Sequence, residues 1–188
     1  ITTITKALEN KNIHQQMFAL DLIKNMNLQK WASKLNSMLK SEDDEIKKQI
    51  LLLAHEKNNF IDKNLLLKLS KRDDQVGAIA VSLFDKNTII KNLNKLSNQL
   101  NSNSPHKIAS TAVAILRHDT EHTEAKVVLN NFLDIKDKST TAIALDYLKS
   151  STSLLPEETL IRLLNHKSIK ISKSALKIFL ASGVGQTK

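Results

Sequence analysis

Apolar side chains recur along this chain with a helical period, and the pattern repeats. Gln15, Ile46, Val76, Ile108, Thr140 and Ile171 stand at equivalent points, spaced by 31, 30, 32, 32 and 31 residues. Four residues beyond these anchors stand Ala19, Ile50, Ala80, Ala112, Ala144 and Ala175; five beyond stand Leu20, Leu51, Val81, Val113, Leu145 and Leu176. Seven beyond stand Leu22, Leu53, Leu83, Ile115, Tyr147 and Ile178, and eight beyond stand Ile23, Ala54, Phe84, Leu116, Leu148 and Phe179. These offsets make one broad apolar stripe on a helix. Alanine at the fourth offset predicts a helix–helix contact too close for a larger side chain. Three residues before the anchors stand Asn12, Asp43, Asp73, Ser104, Asp137 and Ser168. All are residue types whose side-chain oxygen accepts from the free amides of a first helical turn. Pro105 follows Ser104 at the position where a missing N–H costs nothing.

A second helix precedes each of these. Seven residues before the anchors stand Leu8, Leu39, Leu69, Leu133 and Leu164, and eleven before stand Ile4, Leu35, Leu65, Leu129 and Leu160. The fourth repeat shows Asn101 and Ser97 there; a shift of one restores Leu100 and Leu96, which places one extra residue in the loop 101–105. Each unit is thus helix, polar turn, helix. Neither helix can bury its stripe alone, so the units must stack, and stacking generates a solenoid with a concave side. The first and last repeats lack one neighbour and are expected to be the softest.

Composition agrees. With 3 Gly and 2 Pro in 188 residues, the chain is too poor in turn residues for a sandwich or barrel. It has no Cys, so no disulfide framework and no thiolate metal site. No apolar run reaches the length of a membrane span; Ile50 to Ala54 is the longest. Lys6, Glu9 and Lys11 interrupt the N-terminal stretch, against a signal peptide. A first residue of Ile1 suggests a fragment of a larger protein. The expected organisation is one solenoid domain over 1–182 and a frayed tail over 183–188, where the helical pattern stops.

The order of polar turn, cap, aliphatic anchor, then Ala-Leu and Phe resembles the HEAT repeat. It is clearest from Asp73-Asp74-Gln75-Val76 to Ala80, Val81 and Phe84, and from Ser168 through Ile171 to Ala175, Leu176 and Phe179. The repeat length is similar to that of the short, bilin-lyase-type members. The resemblance implies an all-α, right-handed, armadillo-like α-solenoid of six HEAT-like helix-turn-helix repeats. It implies little about function. HEAT units often carry Arg directly after the anchor; here stand Gln16, Lys47, Gly77, Ala109, Thr141 and Ser172, so the family's Asp–Arg ladder is expected to be missing. The stretch from Leu8 through Ala19-Leu20-Asp21-Leu22-Ile23 to Leu39 also resembles the HEAT-like appendage of bacterial ADP/ATP-translocase-like transporters. That implies a cytosolic regulatory part of a membrane protein.

Net charge of +9 raises the question of an anionic partner. The excess is even: residues 1–94 hold 15 basic and 11 acidic residues, residues 95–188 hold 13 and 8. A solvated lysine-rich surface and a polyanion site both fit. Lys167, Lys170, Lys173 and Lys177 in the last repeat, and Lys47 and Lys48 in the second, are candidate phosphate contacts. His118-Asp119-Thr120-Glu121-His122-Thr123-Glu124 is the densest polar cluster. On one helix, His118 and His122 could grip a metal; as a junction between repeats, Asp119 or Thr120 would cap the next helix. Glu42-Asp43-Asp44-Glu45 suits a helix N-terminus better than a calcium loop. Trp31 suits packing where repeats one and two meet, or stacking on a ligand.

If the stripe faces inward, offsets two and six face the concave side: Met17 and Asp21, Lys48 and Leu52, Ala78 and Ser82, Ser110 and Ala114, Ala142 and Asp146, Lys173 and Lys177. The middle pairs are small and nearly uncharged, which fits tight packing between second helices or a shallow groove with charged rims. No phosphate-cradling glycine loop or nucleophilic triad is legible. The expectation is a non-enzymatic cytoplasmic scaffold or regulatory module, with no metal and no cofactor. Its partner would be a protein or an adjoining domain of the same polypeptide, with no direct membrane insertion. The alternative is nucleic-acid binding in the manner of the DNA-alkylation repeats. Against it, the groove centre lacks the cations and aromatic rings that phosphates and flipped bases need.

Overall fold

Capping side chains and buried stripes cut the chain into twelve α-helices and two 3-10 turns among the described residues, with no strand there. The computed structural model describes residues 2–40, 43–57, 60–134 and 137–182; the tail expected over 183–188 and Glu42 of the acidic run lie outside them. The chain divides into two compact units, Ile1–Leu83 and Phe84–Lys188, with the boundary between the third and fourth repeats.

The first unit holds α1 (Thr2–Glu9), α2 (Ile13–Ile23), a 3-10 turn (Leu28–Trp31), α3 (Ala32–Met38), α4 (Asp44–Glu56), α5 (Lys63–Leu69) and α6 (Gln75–Ser82). Here α1 packs on α2, α3 on α4 and α5 on α6, while α2 packs on α4 and α4 on α6. The second holds α7 (Lys86–Gln99), α8 (Pro105–Leu116), α9 (Thr123–Leu133), α10 (Lys138–Leu148), a 3-10 turn (Thr152–Leu154), α11 (Glu157–Leu164) and α12 (Ile169–Ser182). Its helices pair in the same way: α7 with α8, α9 with α10, α11 with α12, and α8 with α10, then α10 with α12. Each unit is therefore three paired hairpins with the second helices in a row. Ala19, Ala80, Ala112, Ala144 and Ala175 are fully buried, as contact between close helices requires. In α7 and at its C-terminal end it is Leu96 and Leu100 that are buried, while Asn101 is exposed.

Four caps stand where the sequence puts them. The Asn12 carboxamide oxygen accepts from the His14 amide at 2.9 Å, the Asp43 carboxylate from Ile46 at 2.8 Å, the Ser104 hydroxyl from Lys107 at 3.4 Å and the Asp137 carboxylate from Ser139 at 3.0 Å. Ser168 directly precedes α12, and its carbonyl accepts from the Ser172 amide at 3.0 Å. The third cap differs. Asp74, not Asp73, caps α6, accepting from the Gly77 amide at 3.0 Å. Gly77 has no room for a side chain: a Cβ there would collide with the Arg72 carbonyl oxygen and lie 2.9 Å from the carbonyl carbon. The turn before α6 thus closes tightly against the helix at the residue whose amide Asp74 binds.

An acid–base cluster locks the same turn. Arg72 Nη2 donates to Asp44 Oδ2 at 2.6 Å and to Asp74 Oδ2 at 2.5 Å, and Nε donates to Asp74 at 2.8 Å. Arg72 lies before the helix rather than after the anchor, so one Asp–Arg rung exists where none was expected. The Arg72 hydrogen bond holds the Asp44 carboxyl below the usual carboxylate range. For Asp74, burial raises the value, but hydrogen bonds from Arg72 and Gly77 outweigh it and the net shift is downward. Among the described residues no helix is long and apolar enough to cross a membrane.

Candidate interaction surface

The residues predicted for a concave face divide into buried and accessible groups. Ala78, Ser110, Ala114 and Ala142 are buried, and the Ser110 hydroxyl donates to the Lys107 carbonyl at 3.1 Å. All four are small and closed to solvent. Met17, Lys48 and Ser82 are half-buried, while Asp21, Asp146, Lys173 and Lys177 are exposed. Leu52 is 45% exposed on α4, the middle second helix of the first unit. Met17 and Asp21 stand on α2 to one side of it and Ser82 on α6 to the other. Lys48 forms an ion pair with Glu45, and Asp146 one with Lys149 at 2.6 Å. The accessible set is thus Met17, Asp21, Lys48, Leu52 and Ser82 in the first unit, and Asp146, Lys173 and Lys177 in the second.

The remaining candidates resolve into local roles. Asp43 caps α4. Lys47, expected at the surface, is buried against Asp44 at 3.2 Å. Lys167, Lys170, Lys173 and Lys177 are exposed, and none pairs with a carboxylate among the described residues. His118 and His122 do not share a helix, contrary to the metal-gripping arrangement. α8 ends at Leu116, and the chain turns through Asp119, whose carboxylate accepts from the Glu121 amide at 3.1 Å. The cap of α9 is His122 rather than Asp119 or Thr120: its Nδ1 accepts from the Ala125 amide at 3.3 Å. Burial, with Arg117 and Lys86 nearby, lowers the His118 pKa. No group of three or more potential metal ligands comes together among the described residues.

Trp31 is buried and lines a cleft of about 590 Å³ with Thr5, Glu9, Met26 and Lys34. The Lys34–Glu9 pair at 3.3 Å stands at this cleft. A second cleft of about 420 Å³ lies in the other unit between Leu155, Leu160 and Phe179.

Two features escape a reading of the sequence. Arg72 joins residues 28 apart, which no periodicity reveals. Phe18 and Leu22 are 64% and 47% exposed, although Leu22 occupies a stripe position that is buried in α4, α8 and α12. The expected shortage of neighbours at the first repeat was the available signal. No family model, no curated protein and no solved structure matches the chain.

Proposed function

We propose that this chain is a non-catalytic protein-interaction module built of six HEAT-like hairpins, three in each unit. The observation that supports it is the row of second helices in the first unit. An accessible Leu52 stands on the middle helix of that row, bordered by Met17, Asp21, Lys48 and Ser82. A single apolar side chain with charged neighbours of both signs fits a partner helix or extended segment, which is anchored by an apolar contact and held in register by charge. A photo-crosslinking side chain at Leu52 tests this in extract of the native cells. A defined adduct at Leu52, absent when the probe sits at exposed Lys68 on α5, is expected. Equal labelling from both positions overturns the reading.

The exposed lysines of α12 favour a second reading, nucleic-acid binding through phosphate contacts. Binding to duplex DNA or RNA that falls steeply with salt, and is lost in a Lys170, Lys173 and Lys177 triple alanine variant, would establish it. Weak binding that the triple variant leaves unchanged would remove it.

A further inference from the structure

We propose that copies of this chain associate head to tail, the outer face of α2 in one copy docking on the outer face of α12 in the next. Equivalent positions in the repeats show why. At the fifth offset Leu20, Leu51, Val113 and Leu145, each on a helix followed by another second helix of its own unit, are buried, yet Leu176 is 47% exposed. At the seventh, Leu53 and Ile178 are buried and Leu83 and Tyr147 half-buried, yet Leu22 is 47% exposed. At the third, Ile79 is buried and Gln49, Ile143 and Ser174 are half-buried, yet Phe18 is 64% exposed. The fifth-offset side is thus the side a following second helix covers, and the third- and seventh-offset side is the one a preceding helix covers. α2 and α4, α4 and α6, α8 and α10, and α10 and α12 make that contact inside the units.

The two uncovered faces are the two complementary halves of one packing mode that the chain already uses four times. Joining them continues an existing interface, with Leu176 and Leu180, which is 70% exposed, set against Phe18 and Leu22. Charge favours the same pairing. Asp21 is the only ionised residue of α2, whereas α12 carries Lys170, Lys173 and Lys177 and no acid. Two copies of α12 would repel each other, so a symmetric pairing through that face is disfavoured. Unlike faces that join head to tail leave one of each kind open and propagate unless the array closes into a ring. The inference rests on packing within each unit and not on the Leu52 surface.

Sedimentation analysis of the whole chain and of two variants, Phe18→Asp and Leu176→Asp, tests it. The wild-type chain should rise above its 21.1 kDa monomer mass as concentration increases. Each variant alone blocks one face; its other face has only blocked copies to meet, so each should remain monomeric. An equimolar mixture should form a complex of twice the monomer mass and stop there, because only one intact pair of faces remains. Circular dichroism melts check folding. If an aspartate variant melts early, Phe18→Gln and Leu180→Gln replace the pair at the same exposed positions. A wild-type chain still monomeric at about 1 mM, a variant that associates by itself, or a mixture that stays monomeric overturns the proposal.

Discussion

Gly77→Ala is the substitution for which general helix propensity and this structure give opposite signs. Alanine is favoured over glycine in a helix by about 1 kcal/mol, partly because it restricts the unfolded chain. Gly77 lies inside α6, so propensity alone makes the variant more stable. In the structure, however, the added methyl would collide with the backbone carbonyl of Arg72. Backbone cannot rotate aside as a flexible side chain can, so α6 and the turn before it must separate. Overpacking of this kind costs about 1–3 kcal/mol. The movement also stretches the 3.0 Å bond from the Gly77 amide to Asp74, and loss of an N-cap costs about 0.5–2 kcal/mol. Set against the propensity gain, the net expectation is destabilisation by about 1–3 kcal/mol. For a domain the size of the first unit, each kcal/mol lowers the melting temperature by about 4–8 °C. Urea unfolding with thermal melts would measure it. A variant as stable as the wild type, or more so, would refute the close approach and with it the placement of the turn.

Asp74→Ala should cost about 0.5–2 kcal/mol, more than Asp73→Ala, because Asp74 carries the cap; thermal melts giving the reverse order would move the start of α6 back by one residue. Arg72→Ala should cost about 1 kcal/mol at neutral pH, a modest figure because all three side chains are partly solvated. Asp44 and Asp74 have folded pKa values held below the unfolded one, so the difference between wild type and variant should be complete above about pH 4 and vanish as acid protonates both carboxylates. A difference unchanged from pH 7 to acid would exclude the pair as its source. Ala112→Leu places a larger side chain at a fully buried site in α8 and should destabilise by about 1–3 kcal/mol in urea titration; an unchanged midpoint would mean that α8 is rotated from its described setting.

The helices, their pairing and most of their starts were legible in the sequence, because they depend on short-range terms. A stripe at offsets four, five and eight sets which side of a helix must be buried. An Asn, Asp or Ser before it supplies the first-turn acceptor, and Asn12, Asp43, Ser104 and Asp137 do so in the structure. The third start was missed because two adjacent aspartates are equivalent to a pattern. The bonds of Asp74 to the Gly77 amide and to Arg72 exist only in the folded turn. The polar run after α8 left two readings open because it does not show whether the helix continues through it; the chain turns there, and the cap of α9 is His122 rather than Asp119 or Thr120. The concave list left two readings where side chains were small, because size does not distinguish an open groove from a tight contact; Ala78, Ser110, Ala114 and Ala142 are buried in the structure.

What the sequence determined by itself was everything carried by a residue and its neighbours along the chain: the all-helical class and the buried stripe of the helices. What tertiary structure decided was which copies of an identical position are covered. Leu20 and Leu176 hold the same place in the repeat, and one is buried while the other is half exposed. Lys107 and Lys170 also share a place, yet Lys107 is buried and Lys170 is exposed. α8 is packed by α7, α9 and α10, whereas α12 is packed by α10, α11 and the turn at Thr152–Leu154. Burial depends on the neighbours that surround a helix, and a local pattern carries no record of them.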